Sequence, residues 1–156
     1  MGFNYGAKRY DRVLDAFWFC VKLASVGLVV IGVAGFIFAP QIVSLFRDDP
    51  AVISIGTTAL RLQCVSFPFS SWVIMGNMLL QTIGRGAKAS ILALSRQGLF
   101  FLPAIFVLPQ LWGLFGVQLS QPVADMFSFV LSLPLVLSVT RELKTMQDGM
   151  GRRPLV

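Results

Sequence analysis

Histidine is missing from the chain, which removes the side chain that most often serves as a general base near neutral pH or as a metal ligand. Cysteine is almost as scarce. Cys20 and Cys64 stand alone, too few for a disulfide framework or a thiolate metal cluster, and they read as buried free thiols. No G-x-S-x-G elbow and no Walker loop interrupt the sequence. The expectation is therefore a chain that is not an enzyme and carries no cofactor and no metal. Alternating ten-residue segments are also absent, which argues against a transmembrane β-barrel. No cleavable signal is expected, because the basic leader is long and no small-x-small site follows the first apolar run.

What the chain has in abundance is apolar length. Leu23–Phe46 reads LASVGLVVIGVAGFIFAPQIVSLF, without one ionisable side chain. At a rise of about 1.5 Å per residue this run reaches roughly 35 Å, enough to cross a hydrocarbon core of about 30 Å. Three further apolar stretches follow, at 62–84, 97–124 and 126–140. The fold class expected is all-α: a polytopic membrane unit of four antiparallel transmembrane helices, over about 11–46, 50–83, 87–111 and 121–146 within residues 1–148. Residues 149–156 should form a polar cytoplasmic tail.

The formal charge of +6 could suggest nucleic acid, but its placement does not. Lys8, Arg9, Arg12 and Lys22 precede the first span; Arg85, Lys88 and Arg96 surround the second turn; Arg141, Lys144, Arg152 and Arg153 follow the last. The first connection has Arg47 beside Asp48 and Asp49, and the third has no charge. By the positive-inside rule both chain ends face the cytoplasm of a plasma (inner) membrane, and no nucleic-acid partner is expected. Tyr10, Phe17 and Trp18 should lie at interfacial depth.

Within the first span, Ser25, Gly32, Gly35 and Ala39 fall on one face, where a neighbouring helix can approach closely. Asp49 and Pro50 suit the N-cap and N1 positions of the second helix, and Gly84 and Gly86 its stop. Pro122 suggests the start of the fourth. Pro40, Pro68, Pro103, Pro109 and Pro134 lie within apparent spans, where they suit either a transporter whose helices bend or a static bundle.

Chemistry should reside in the polar residues at membrane depth. Gln63, Ser66, Ser70, Asn77 and Gln81 occupy an arc of roughly 60° on the second helix. Such a stripe turns toward other helices or toward a solute, so Ser70, Asn77 and Gln81 are candidate cavity residues. Gln121, Asp125, Ser128 and Ser132 form a similar arc on the fourth helix. Asp125 is either an ion-coupling carboxylate or an acid in the first turn of its helix, where the dipole favours it. Arg61 is a possible partner for it, or snorkels outward.

Four segments in order resemble one family: the leader GFNYGAKRYDRV, the turn LFRDDPAV, the run ILALSRQGLFFLPAIFVLP and the approach GLFGVQLSQPVADMFS. That family is the multidrug and toxic compound extrusion (MATE) transporters. The resemblance implies the last four helices of the C-terminal lobe of a twelve-helix antiporter built from two six-helix lobes. Such an antiporter exports cationic amphipathic compounds using a proton or sodium gradient. The second helix then corresponds to one that lines the central cavity, which favours Asn77 and Gln81 as cavity residues. The resemblance also implies that the chain is incomplete as given and needs an N-terminal lobe or another subunit. Two alternatives stand beside it: a non-transporting assembly segment or truncated product, and a small exporter acting as a homo-oligomer with Asp125 as its essential carboxylate.

Overall fold

The computed structural model describes residues 1–151, so the tail expected over 149–156 lies outside the described residues from position 152 onward. The described chain is helical almost throughout. A short α1 (Gly2–Gly6) leads into α2 (Tyr10–Ile37) and α3 (Ala39–Ser44), followed by α4 (Pro50–Thr82), α5 (Gly86–Leu94), a π-helical turn (Ser95–Phe100) and α6 (Phe101–Gly151).

The apolar windows of α2 and α4 are each only 11% buried, which leaves most of their hydrophobic surface for lipid or other helices. Four passes result, with boundaries that differ from those read in the sequence. The first pass does not run unbroken to residue 46. It breaks at Phe38, because Pro40 can open a new helix but cannot donate to the old one. Pro68 is accommodated inside α4 without interruption.

The larger difference lies between the last two passes. The loop expected over 112–120 is absent, and Pro122 does not start a helix. Gly113 adopts φ 55°, ψ −132°, and this single residue reverses the chain between limbs 101–112 and 114–151 of α6. Only glycine takes that backbone geometry without strain. The carbonyl of Leu108 and the nitrogen of Pro109 lie where a Cβ on Gly116 would go, so the limbs touch backbone to backbone just past the turn. Pro122 is left inside a continuous helix. Membrane bundles tolerate such a missing donor where neighbouring groups can satisfy the freed carbonyl.

α4 is the central element, packed against α2 on one side and α6 on the other. The small-residue face of the first pass meets α4. Ser25 and Ser71 share a hydroxyl hydrogen bond of 2.9 Å, and a Cβ on Gly32 would sit 3.2 Å from the Cys64 carbonyl. At the α4 start Asp49 caps as expected, its Oδ1 accepting from the backbone of Ala51 at 2.9 Å. The core lies toward the Arg85 end and includes Val13, Val21, Leu79, Leu80, Leu92, Val136 and Val139. Phe17 belongs to this core, fully buried: its ring lies edge-on to Trp72, which in turn meets Phe129. At the same end Arg85 and Glu142 form an ion pair that ties the α4–α5 turn to α6.

Candidate functional site

Asp125 is the centre of the polar structure. At about 1.5 Å per residue it lies roughly 18 Å along its helix from Gly113 and roughly 24 Å before Arg141, deep within the span. Its carboxylate has no exposed surface. Oδ1 accepts from Arg96 Nε at 2.8 Å and from Gln121 Nε2 at 3.2 Å. Oδ2 accepts from Ser70 Oγ at 3.0 Å, and Ser66 Oγ and Gln63 Nε2 lie at 3.2 and 3.4 Å. The Ser66 hydroxyl has one hydrogen to divide between Asp125 and the Gln63 carbonyl at 2.9 Å. A carboxylate offers about four lone-pair sites, so these donors saturate it. A buried charge is tolerable on such terms: one opposite charge and a closed shell of donors.

Three elements supply that shell. The stripe on α4 turns inward and delivers Gln63, Ser66 and Ser70. The second limb of α6 delivers Gln121 one turn ahead of Asp125. Arg96 comes from the π-helical turn, where the helix widens by one residue just ahead of Pro103, whose ring cannot continue an α-helical ladder. Stacking of Phe100 on Phe127 at 5.6 Å holds the turn against α6.

The sequence-predicted residues therefore separate. Ser70 serves Asp125. Asn77 and Gln81 sit together near the C-terminal end of α4, with Gln81 Nε2 donating to Asn77 Oδ1 at 2.9 Å. Asp125 is not in the first turn of a helix, since its helix starts at Gly113 and not at Pro122. Arg61 is not its partner. Its Nε donates to the Phe36 carbonyl at 3.3 Å and its guanidinium lies 5.2 Å from the Phe36 ring centroid, because the break at Phe38 exposes that carbonyl within reach of α4. Arg61→Ala and Asp125→Ala should thus have stability effects that add within about 0.5 kcal/mol in a double-mutant cycle. A larger coupling would mean that the two interact.

The partner that sequence reasoning missed is Arg96, grouped there with the charges of the second turn. Its signal was present: a lone arginine within ILALSRQGLFF, an apolar run that would otherwise cross the membrane.

Beside Arg96 a cleft of about 270 Å³ opens between α4 and the α5–π-turn segment. Val73, Ile74, Leu92 and Ala93 line it together with Asn77, Arg96 and Gln97. Another cavity, about 410 Å³ at the α6 hairpin, is lined by Leu99, Pro103, Val107 and other apolar residues. Among the described residues no group of His, Cys, Asp or Glu could hold a metal. The arrangement has the means to bind a polar group at membrane depth.

The model of one protein family, MatE, matches residues 1–107. The multidrug export protein MepA of Staphylococcus haemolyticus (strain JCSC1435) is 32% identical over 119 residues, covering 76% of this chain and 25% of that protein. MepA of Staphylococcus aureus (strain N315) is 28% identical over 125 residues, 80% of this chain and 27% of that protein. The chain thus spans about a quarter of the length of the curated relatives it matches. Among solved structures, an inward-facing multidrug resistance MATE transporter superposes with a TM-score of 0.82 at 23% identity, over 92% of this chain and 34% of that one. An outward-facing MATE transporter superposes with a TM-score of 0.84 at 22% identity, over 92% of this chain and 33% of that one.

Proposed function

We propose, for a chain that belongs to the MatE family of multidrug and toxic compound extrusion transporters, a role as the C-terminal portion of a multidrug/cation antiporter. It would export cationic amphipathic compounds at the expense of a proton or sodium gradient. The observation that carries this reading is the equally close likeness to an inward-facing and an outward-facing transporter. A unit that fits both states is a unit that moves as a body, as alternating access by rocking lobes requires. The Asp125 shell and the backbone-to-backbone α6 hairpin supply the rigidity.

Four helices of one lobe do not enclose a central site, so the partner is the remainder of the transporter, as further chain or as another subunit. Charge placement supports a multi-pass orientation in the inner membrane with the Lys8–Arg12 leader, the Arg85 turn and the Arg141 end in the cytoplasm. The Asp48–Asp49 bend and the Gly113 turn would then face outward.

The test is a chimaera in which this chain replaces the last four helices of a MATE transporter, expressed in an efflux-deficient bacterium. Ethidium accumulation should fall to near the level set by the intact transporter, while the chain alone leaves it unchanged. Ethidium export by the chain alone in liposomes would replace this reading with the small homo-oligomeric exporter. A correctly inserted chimaera that exports nothing would leave an assembly segment.

A further inference from the structure

We propose that the cleft between α4 and the π-helical turn receives the carboxylate end of an amphipathic solute, with Arg96 as the recognising residue. This rests on the reading of the chain as a wall of a solute pathway.

Arg96 uses only Nε on Asp125. Its two terminal nitrogens have no hydrogen-bond partner among the described residues, and its side chain, 27% exposed, is one of those lining the cleft. Asp125 is the counter-ion, yet it has no exposed surface and its lone pairs are taken. A solute in the cleft therefore meets the guanidinium and not the carboxylate that balances it. The neighbouring amide has the same polarity. Asn77 already commits one lone pair of its Oδ1 to Gln81, while both hydrogens of its NH₂ remain to be offered. The one charge on the cleft is the Arg96 cation, the amides of Asn77 and Gln97 add N–H donors, and Val73, Ile74, Leu92 and Ala93 form its apolar floor, a combination that suits a carboxylate attached to a hydrophobic body.

Terminal guanidinium nitrogens pair with a carboxylate through two parallel N–H bonds. A lipid phosphate would offer similar acceptors. Depth argues against it: at about 1.5 Å per residue Arg96 lies roughly 16 Å along the chain's helical path from Arg85, well inside the hydrocarbon. A headgroup would have to leave the interface to reach it. A cation entering the same cleft finds no free carboxylate, only the neutral amide oxygen of Gln97 beside the Arg96 charge.

The experiment compares three probes with one aromatic body: 1-naphthoate, its methyl ester, and 1-naphthylmethylammonium. Binding is measured by equilibrium dialysis to the full chain in phosphatidylcholine nanodiscs, with empty discs subtracted. Naphthoate should bind at least tenfold more tightly than either of the others. The double variant Arg96→Gln/Asp125→Asn keeps the network neutral and hydrogen-bonded, and should reduce naphthoate to the level of the ester. Ala93→Phe leaves the ion pair intact, fills the cleft, and should abolish the preference. No preference for naphthoate in the unmodified chain, or a preference that survives in both variants, would overturn the proposal. So would displacement of naphthoate by dodecyl phosphate at equal or higher potency, which would assign the site to a phosphate headgroup. Arg96-dependent binding with a chimaera that exports nothing would defeat the transporter reading alone. Export without naphthoate preference would defeat this inference alone.

Discussion

Replacing Arg96 with methionine is expected to cost the folded chain about 3–5 kcal/mol, the usual consequence of breaking a buried ion pair from one side. The methionine keeps the apolar length of the side chain and removes its charge. Asp125 is then left without exposed surface, facing only the neutral donors Gln63, Ser66, Ser70 and Gln121. Neutral hydrogen bonds are each weaker than the charge-assisted one removed, and a carboxylate at membrane depth has no water to turn to. Asp125→Asn should cost less, because Arg96 is 27% exposed and can turn its charge toward the cleft. Joining Arg96→Met to Asp125→Leu should restore most of the loss, since apolar pairs of similar volume often match or exceed a buried ion pair. Unfolding titrations with dodecyl sulfate in mixed micelles read the cycle of unmodified chain, Arg96→Met, Asp125→Leu and their double variant, with Asp125→Asn alongside. A coupling energy within about 0.5 kcal/mol of zero would mean that the pair carries no structural role.

If that double variant folds and no longer prefers a carboxylate, the ion pair exists for what it presents to the cleft and not for what it adds to stability. The distinction matters for an intramembrane charge. It is expensive to place there and is retained where it recognises or moves something.

The all-α membrane fold and the order of its apolar runs were legible in the sequence because they depend on composition alone: long uncharged runs separated by basic or acidic bends. The small-residue face of the first pass was legible too, since helical periodicity puts Ser25, Gly32 and Gly35 in line whatever they meet. The Gly113 reversal was not. LWGLFGVQLSQP has the length and two glycines of a loop, and Pro122 has the position of a helix start. Those rules come from helices that end in water. Here two limbs press together through Gly116, and the helix runs straight through the proline. With the start misplaced, Asp125 fell into a first turn and Arg61 became its nearest cation. Which arginine reaches Asp125 depends on the register between the π-helical turn and α6, and register is set by packing that one sequence does not display.

That register hangs on Gly116. A valine there would place its Cβ on the Leu108 carbonyl, with Pro109 N only 2.7 Å away. Side chains can rotate out of a clash; backbone on the facing limb cannot. The hairpin must open, and the second limb must shift against the π-helical turn that holds Arg96. The expected cost is at least the upper end of the range for overpacking, about 3 kcal/mol, with Gly116→Ala smaller and of the same sign. Gly27 is the control, because a Cβ added there meets nothing within 4 Å. Gly27→Ala should be neutral or should stabilise its helix by up to about 1 kcal/mol. The same dodecyl sulfate titration measures each change. Equal effects at the two positions would show that the limbs do not meet through Gly116. An opened hairpin should also cost Arg96 its hold on Asp125, so Gly116→Val added to Arg96→Met should destabilise by less than the sum of the two.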